Sequence, residues 1–183
     1  MVKKVDQRVK RALRILLVRG RSRPGIRGSE LRKLLGIDYP EVLKKLNSEL
    51  EKLGLRVKAV LEDGSEVNLD EREKLSQAWI GIVLTEELKI EDLRSVGWRI
   101  DDLAVLASTL VLVFAHGGKV QRQTVVNFLK DKVPEWRIQS TLDRFIKAGY
   151  LIEDEEFLIS LGWRTYMEVD LEKLVKMLGA DAE

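Results

Sequence analysis

The order helix, short helix, helix and hairpin occurs twice along the 183-residue chain, and it constrains the fold more than any other feature. In the first copy, apolar residues recur at three- and four-residue spacing within each predicted helix, and alternate within each predicted strand. The predicted elements are helices over 5–18, 29–35 and 40–53 and strands over 55–61 and 79–84. Ser29 is expected to cap the short helix, and Pro40 to open the next one, where a missing N–H costs nothing.

The second half repeats this order with different residues, so the repeat is one of architecture and not of sequence identity. Its predicted elements are helices over 101–115, 120–131 and 134–149, strands over 150–152 and 157–159, and a final helix over 163–178. Such an order is typical of the winged helix-turn-helix. We therefore expect a mainly α, α+β fold of tandem winged helix-turn-helix domains, with domains at 1–84 and 101–183 and a linker at 85–100.

Charge is distributed unevenly along the chain, although the net charge is only +2. Residues 1–61 hold 17 Lys and Arg against 6 Asp and Glu, a balance of +11, which leaves −9 for residues 62–183. A basic segment can neutralise phosphates and release counterions, which gives affinity for nucleic acid without sequence readout. The sequence therefore predicts a basic domain that binds DNA, and an acidic domain that binds protein.

The third helix and the wing are the usual nucleic-acid contacts of this architecture. Lysine acts mainly as a point charge, so contacts to the phosphate backbone are expected rather than base readout. The residues predicted to bind phosphates are Arg19, Arg21, Arg23, Arg27, Arg32, Lys33, Lys44, Lys45, Lys52, Arg56 and Lys58. The alternative is a basic face that is only solvated.

The second domain offers apolar and aromatic candidates for a protein interface. The predicted helix over 101–115 is apolar nearly all round, which argues for burial between two bodies. The residues predicted to form the interface are Trp98, Leu103, Leu106, Leu110, Phe114 and Trp136. Trp79 and Trp163 are further candidate anchors, and the alternative for each tryptophan is an ordinary core position.

The chain is poorly supplied with the residues that catalysis and metal binding need. It has no cysteine and a single histidine, which excludes disulfides, thiolate nucleophiles, cysteine-ligated metals and His-pair metal sites. We interpret His116 as the end of one helix and Asp101-Asp102 as its N-terminal cap. We therefore expect no enzymatic activity, no cofactor and no metal.

Nothing in the sequence predicts a membrane protein. The longest apolar run, residues 103–115, falls short of the roughly 20 residues that span a bilayer. The first residues are rich in lysine and lack the apolar core of a signal peptide. The predicted location is cytoplasmic.

Two stretches go beyond these general patterns, and together they resemble the MAGE homology domain in order and spacing over roughly residues 10–178. They are Tyr39-Pro40-Glu41-Val42-Leu43-Lys44-Lys45 with Gly54-Leu55-Arg56-Val57-Lys58-Ala59-Val60, and Gly162-Trp163-Arg164-Thr165-Tyr166-Met167-Glu168. Residues 62–74 match nothing in that domain, and Trp163 replaces its proline.

The resemblance implies a KITE-type protein, a kleisin-interacting tandem winged-helix subunit of SMC complexes, in a prokaryotic, archaeal-like form. It implies a nucleoid-associated role in chromosome maintenance or DNA repair, with double-stranded DNA and a kleisin or other SMC-complex subunit as partners. It also implies a homodimer, or a heterodimer with a related winged-helix protein. Two alternatives remain from the residues alone: a dimeric winged-helix transcriptional regulator, and a protein adaptor that does not bind DNA.

Overall fold

A computed structural model describes residues 2–19, 25–86 and 99–179, and the chain divides into two compact units, Met1–Glu87 and Leu88–Glu183. Most of the predicted linker, residues 87–98, lies outside the described residues. No helix in the described ranges is long and apolar enough to cross a membrane.

In the first unit, helices pack against a small antiparallel sheet. Its elements are α1 (Val2–Arg19), β1 (Ile26–Arg27), α2 (Gly28–Leu35), α3 (Tyr39–Glu51), β2 (Leu55–Val60), α4 (Arg72–Gln77) and β3 (Trp79–Leu84). The strand order is β1-β3-β2, and β2 pairs with β3 in register from Leu55 opposite Leu84 to Val60 opposite Trp79. The two helices α2 and α3 thus lie between β1 and the β2–β3 hairpin in sequence.

The core of the first unit forms where the apolar faces of α1 and α3 meet the sheet. On α3, Leu43, Leu46 and Leu50 recur at three- and four-residue spacing and are buried. They pack with Ala12 of α1 and Ile80 of β3 in one cluster. The predicted stripe is therefore confirmed at these three leucines, but the helix begins at Tyr39 and ends at Glu51, and Leu53, predicted to belong to the same stripe, is 75% exposed.

The start of α2 differs from the prediction. Ser29 lies inside the helix and does not cap it, because the N-cap position is Arg27 and its side chain makes no capping hydrogen bond. The backbone N–H of Gly28 instead donates to the carbonyl oxygen of Ala78, at 3.0 Å. Backbone pairing with the end of the β2–β3 connection replaces the side-chain cap.

The second unit repeats the element order of the first except for α4, which has no counterpart between its last two strands, and it adds two helices after them. Its elements are α5 (Ile100–Ala115), β4 (Lys119–Gln121), α6 (Arg122–Leu129), α7 (Glu135–Ala148), β5 (Leu151–Glu153), β6 (Leu158–Leu161), α8 (Trp163–Glu168) and α9 (Leu171–Gly179). The strand order β4-β6-β5 matches β1-β3-β2 position by position. The chain therefore has an α+β fold, mainly helical with small antiparallel sheets, that is consistent with tandem winged-helix domains.

Two predictions about the helices of the second unit are wrong. The final helix is not continuous, because Val169 is extended and Asp170 starts α9 by accepting a hydrogen bond from the Lys173 backbone N–H at 3.0 Å. Asp101 and Asp102 do not cap α5, whose N-cap is Arg99. Asp102 is buried instead, with 4% of its surface exposed, and faces α7.

Candidate nucleic-acid interface

The boundaries of the first unit change the charge that belongs to it. Residues 1–87 hold 19 Lys and Arg against 14 Asp and Glu, a net charge of +5, and residues 88–183 hold 13 against 16, a net charge of −3. The difference arises because residues 62–87 carry eight acidic and two basic side chains. The strongly basic 1–61 stretch thus folds together with much of the negative charge that follows it.

These acidic residues lie mainly in the connection between β2 and β3, residues 61–78, which we call the acidic connection. It first turns back along β2, where Val60 and Glu66 form a β-bridge, and it then carries α4 before entering β3. Residues 66–71 line a cleft together with Lys44 and Asn47 of α3. The acidic connection therefore lies against the helix that the sequence analysis assigned to DNA.

On α3, Lys44 is held by carboxylates. Its ammonium forms an ion pair with Asp70 of the acidic connection and a second one with Glu41, at 3.2 Å. The hydrogen bonds that its ammonium donates to Asp70 and Glu41 raise the pKa of Lys44 above its ordinary value. Lys52, further along the chain, pairs with Glu49 at 2.8 Å.

The basic residues of the strands are paired in the same way. Glu66 accepts from Arg56 at 2.6 Å and lies 3.9 Å from the ammonium of Lys58. Arg27 pairs with Glu62, donates to the Gln77 carbonyl oxygen at 2.5 Å, and lies 4.4 Å from the centroid of the Trp79 ring. Together with Lys44, four of the cations predicted to bind phosphates thus have carboxylate partners within the acidic connection.

The predicted phosphate-binding set therefore divides. Arg27, Lys44, Lys52, Arg56 and Lys58 are paired, whereas Arg32, Lys33 and Lys45 are exposed and make no ion pair with a described residue. Arg21 and Arg23 lie outside the described residues, and the side chain of Arg19 is not described either.

The structure adds three exposed arginines that make no ion pair within the described ranges. Arg11 and Arg14 lie on α1, and Arg72 lies on α4. The sequence indicated Arg11 and Arg14, because the spacing of apolar residues in the first predicted helix places both on its polar face. Arg72 had no such signal, because it stands in a charged segment whose helix was not predicted.

On α7, the counterpart of α3, the arginines contact carboxylates of their own unit. Arg144 bonds to Asp102 at 2.6 Å, and Arg137 lies 3.0 Å from Asp101. Burial on its own would raise the pKa of the Asp102 carboxyl, but the hydrogen bond and the charge of Arg144 lower it below its ordinary value. These arginines therefore serve to attach α7 to the start of α5.

A second cluster of the same unit surrounds Arg122 at the start of α6. Its guanidinium donates to both oxygens of Glu153, at 2.9 and 3.0 Å, to Asp143 at 2.5 Å and to Gln139 at 2.6 Å. Burial tends to lower the pKa of Arg122, but the hydrogen bonds that it donates to Glu153 and Asp143 raise this pKa above its ordinary value. The guanidinium joins α6, α7 and β5 as a fixed cation.

The predicted protein-interface residues also divide. Leu106 and Leu110 are buried in the core of the second unit, so we remove them from the interface prediction. Leu103 is half-buried, while Phe114 and Trp136 are 58% and 73% exposed. Trp98 lies outside the described residues.

The exposure of the remaining aromatic side chains separates half-buried positions from candidates for a protein interface. Trp79 and Trp163 are half-buried. Phe128 of α6, which the sequence analysis did not single out, is 60% exposed. Among the described residues of the second unit, the exposed aromatic side chains are thus Phe114, Phe128, Trp136 and Phe157.

The closing motif at residues 162–168 fastens α8 to the end of α7. Thr165 donates to the Tyr150 carbonyl oxygen at 2.6 Å, and the Tyr150 hydroxyl donates to Glu168 at 2.5 Å. Arg164 donates to Glu168 at 2.7 Å and lies 4.4 Å from the centroid of the Tyr150 ring. Burial, with the charge and hydrogen bond of Glu168, raises the pKa of Tyr150. The residues of this motif therefore have a structural role in the second unit.

The described residues contain no group of three or more His, Cys, Asp or Glu side chains that could hold a metal ion. His116 ends α5, with its Nδ1 at 2.8 Å from the Leu112 carbonyl oxygen, which can only accept a hydrogen bond. This contact agrees with the interpretation of His116 as a helix-end residue.

No protein-family model and no curated protein sequence matches this chain. Among solved structures, a chain of the structure titled "Nse1-Nse3-Nse4 complex" superimposes on it with a TM-score of 0.68. The two chains are 15% identical, and the match covers 98% of this chain and 91% of the other. The likeness establishes that this protein shares its fold, across both units, with a chain of that complex.

Proposed function

We propose that this protein is a non-enzymatic, tandem winged-helix subunit that acts with an SMC–kleisin complex in chromosome maintenance or DNA repair. The observation that carries the proposal is the fold shared with a chain of the Nse1-Nse3-Nse4 complex over 98% of this chain. The motifs that resemble the MAGE homology domain support it independently, because they are read from side chains and not from the backbone path. Residues 39–45 and 162–168 open α3 and form α8 in that fold.

The absence of a catalytic role is supported by the chemistry that the chain contains. Without cysteine and with one histidine, general acid–base or nucleophilic machinery would have to rest on carboxylates, lysines or hydroxyls. The imidazole of His116 is engaged at the end of α5.

The DNA contact belongs, in this proposal, to cations of the first unit that have no carboxylate partner among the described residues. Lys33 of α2 and Lys45 of α3 are exposed, as are Arg11 and Arg14 of α1. A cation that is already paired must break that pair to bind phosphate, whereas these four need only release water and counterions. The expected binding is to duplex backbone, with little dependence on sequence.

The protein contact belongs to the second unit. Its exposed aromatic residues include Trp136 on α7 and Phe128 on α6, and the helices α6 and α7 pack together. Large exposed aromatic side chains are the residues that most often anchor protein interfaces. The proposed partner is a kleisin or another SMC-complex subunit, or a second winged-helix chain in a homodimer or heterodimer.

A protein adaptor without DNA binding is the second candidate function. The observation that favours it is the pairing of five of the predicted phosphate-binding cations with carboxylates of the first unit. The two functions differ in what the first unit does, so one DNA-binding experiment separates them.

The experiment measures binding of a random-sequence duplex between 50 and 200 mM salt. The test variant is Lys33→Glu/Lys45→Glu, and the matched control is Lys130→Glu/Lys132→Glu, which changes the charge equally at exposed positions of the second unit. We expect the test variant to lose about tenfold or more in affinity and its log–log salt slope to fall by about 2, with little change in the control.

Equal losses in both variants would mean that only total charge matters, and would contradict a contact through the first unit. No binding by the unchanged protein at 50 mM salt would favour the adaptor. A strong preference for one palindromic sequence would instead favour a stand-alone transcriptional regulator.

Association with the complex is tested by coexpression with the kleisin of the same organism and sedimentation of the purified product. We expect a stable complex that Trp136→Ala weakens at least tenfold. The control is Phe157→Ala, which removes an aromatic side chain of similar exposure from the hairpin tip of the same unit. Failure to form any complex would contradict the proposed partner class.

A further inference from the structure

A cleft of about 390 Å³ lies in the first unit between α2, the start of α3 and α4. Arg32 of α2 and Arg72 of α4 line it from two elements, Tyr39 and Pro40 line it from the start of α3, and Ile37 adds an apolar side chain from the turn between the helices. The cleft is large enough for one amino-acid side chain with its flanking backbone.

The hydroxyl of Tyr39 is an unusual feature of this cleft. Tyr39 is only 3% exposed, and its buried hydroxyl has no hydrogen-bond partner. Buried polar groups in native proteins nearly always have one, because leaving a hydroxyl unsatisfied costs free energy. A ligand that accepts a hydrogen bond at this point would remove that cost.

The arginines reinforce the case for a negatively charged ligand. Burial raises the pKa of Tyr39, and the charges of Arg32 and Arg72 act in the opposite direction, so both guanidiniums act on the same hydroxyl. Neither guanidinium forms an ion pair with a described residue, whereas other basic side chains of the first unit are held by the acidic connection. Two arginines and one buried tyrosine without a hydrogen-bond partner for its hydroxyl thus line the same cleft.

We propose that this cleft binds one carboxylate that a peptide segment of a partner protein presents, as an Asp or Glu side chain or a chain end. Arg32 and Arg72 donate to the carboxylate oxygens, since a guanidinium matches a carboxylate in a bidentate geometry. The Tyr39 hydroxyl donates a further hydrogen bond. Ile37 and Pro40 contact the apolar atoms of the neighbouring peptide residue.

A single carboxylate fits this cleft better than a duplex does. Glu73 also lines the cleft, and Asp70 and Glu71 precede it in the acidic connection, so a polyanion would meet several negative charges at the rim. The Tyr39 hydroxyl is buried, which favours a narrow side chain over a phosphodiester that remains part of a rigid helix. The proposal extends beyond the DNA contact and does not depend on it, because none of Lys33, Lys45, Arg11 or Arg14 lines the cleft.

The test uses the full chain and the blocked amino acid N-acetyl-aspartate amide, with N-acetyl-asparagine amide as its neutral isostere. The arginine Nε–Hε signals are followed by NMR during each titration. We expect the acidic probe to shift the signals of Arg32 and Arg72 with a low-millimolar dissociation constant, as befits a ligand of this size. The asparagine probe is expected to bind at least tenfold more weakly.

Three variants separate a built site from general attraction to positive charge. Arg72→Gln is expected to weaken the acidic probe at least tenfold, and Tyr39→Phe about threefold, whereas Lys45→Gln removes an equal charge elsewhere on the unit and is expected to have no effect. Tyr39→Phe keeps the ring and removes a buried hydroxyl that costs free energy, so the thermal midpoint is expected to rise slightly, and loss of folding does not confuse the result.

The proposal is overturned if the two probes shift the arginine signals equally, or if no saturable shift occurs up to 50 mM. It is also overturned if the random duplex shifts the same signals and Arg72→Gln abolishes duplex binding, since the cleft would then belong to the phosphate backbone. Loss of duplex binding in the Lys33→Glu/Lys45→Glu variant alone leaves this proposal standing and concerns only the proposed DNA contact.

Discussion

The two units share one order of elements but use different parts of the chain to neutralise the cations of their third helices. In the first unit, Lys44 of α3 is paired by Asp70 of the long acidic connection and by Glu41. In the second unit, the hairpin turn is short, and Arg144 of α7 is paired by Asp102 at the start of α5. The same fold therefore places similar charges in two different electrostatic settings.

The exposure of the charged side chains determines how much each set of ion pairs contributes to stability. The side chain of Asp102 is 6% exposed and that of Arg122 is 14% exposed, whereas Asp70 and Glu66 are 68% and 50% exposed. Exposed ion pairs contribute roughly 0–1 kcal/mol and exchange easily with other ions. Breaking a buried pair leaves a charge without compensation and costs more. The pairs of the second unit thus hold its helices together, and those of the first unit can give way to an incoming anion.

The largest expected effect concerns a feature that both units share. Each has a glycine that another backbone segment approaches so closely that a Cβ atom would not fit. A Cβ at Gly28 would lie 1.9 Å from the Leu75 carbonyl oxygen, and one at Gly162 would lie 2.2 Å from that of Gly149. We expect Gly28→Ala to destabilise the first unit by about 3 kcal/mol, since backbone must move to admit the methyl group. Hydrogen exchange of the full chain should accelerate over 26–84 and stay unchanged over 100–168.

The matched variant Gly162→Ala should reverse this pattern and accelerate exchange in the second unit alone. Gly117→Ala is the control, because its φ is +72° but nothing lies within 4 Å of the added atom, so only backbone strain of about 1 kcal/mol is expected. If Gly28→Ala cost no more than this control, the close approach of α2 and α4 would be disproved.

The next largest effect concerns Asp102 of the second unit, a buried carboxylate whose partner Arg144 is 51% exposed. We expect Asp102→Asn to lower the free energy of unfolding by about 2 kcal/mol at pH 7, since Arg144 loses its carboxylate partner, whereas the amide oxygen can still accept from Thr141, at 3.3 Å in the unchanged protein. Chemical denaturation measures it. Asp101→Asn is the control, because this carboxylate is 53% exposed, and it should cost less than about 0.5 kcal/mol.

The same pair predicts a pH dependence. The pKa of Asp102 is lowered in the folded protein, so its contribution to stability is fully present above the unfolded value near 4. That contribution is lost as the pH falls from about 4 through the lower folded pKa. The stability difference between the unchanged protein and Asp102→Asn should therefore shrink below pH 4. A difference that stayed constant down to pH 2 would argue against a charged Asp102.

The sequence was sufficient to predict the elements whose burial repeats regularly. The stripes Leu43, Leu46, Leu50 and Ile138, Leu142, Phe145 locate α3 and α7, and the alternation at 55–60 locates β2, because these faces contact the core. β1 and β4 have two and three residues, too short for any periodicity, and only pairing with β3 and β6 defines them. α4 buries one residue, Leu75, and so its charged sequence resembled a loop.

The candidate site was harder to predict, since it depends on contacts between segments far apart in the chain. Arg56 and Glu66 are ten residues apart, Lys44 and Asp70 are 26 apart, and Arg27 and Glu62 are 35 apart. A count of charges along the sequence treats these cations as free. The cleft at Arg32, Tyr39 and Arg72 was equally hidden, because it exists only where α4 packs on α2.

A smaller effect tests whether the acidic connection competes with DNA. Glu66→Gln/Asp70→Asn removes the carboxylates that pair with Lys44, Arg56 and Lys58. We expect duplex affinity at 50 mM salt to rise about fivefold and the salt slope to steepen by about 1, since more cations become available to phosphates. Fluorescence anisotropy with the random duplex measures both quantities.

The control is Glu155→Gln/Glu156→Gln, which removes the same charge from the hairpin tip of the second unit. A rise of similar size in that variant would show a general field effect and not a competition at α3. An unchanged affinity for Glu66→Gln/Asp70→Asn would show that these cations do not meet DNA even without the carboxylates of Glu66 and Asp70, and would favour the adaptor function.

The smallest effect concerns the turns of the two hairpins. In the first unit, the residue with positive φ beside the turn is Gly64, at +89°, whereas in the second unit it is Phe157, at +58°. A left-handed conformation strains a bulky side chain, and Phe157 is 63% exposed, so its ring contributes little packing in return. Phe157→Gly is therefore expected to stabilise the second unit by about 0.5 kcal/mol, measured by chemical denaturation, because the relief of strain slightly exceeds the entropy that glycine loses on folding.

Gly64→Ala should do the reverse in the first unit and cost about 1 kcal/mol. A loss of stability for Phe157→Gly would mean that the exposed ring has stabilising contacts, and the two hairpins would then differ in packing as well as in charge.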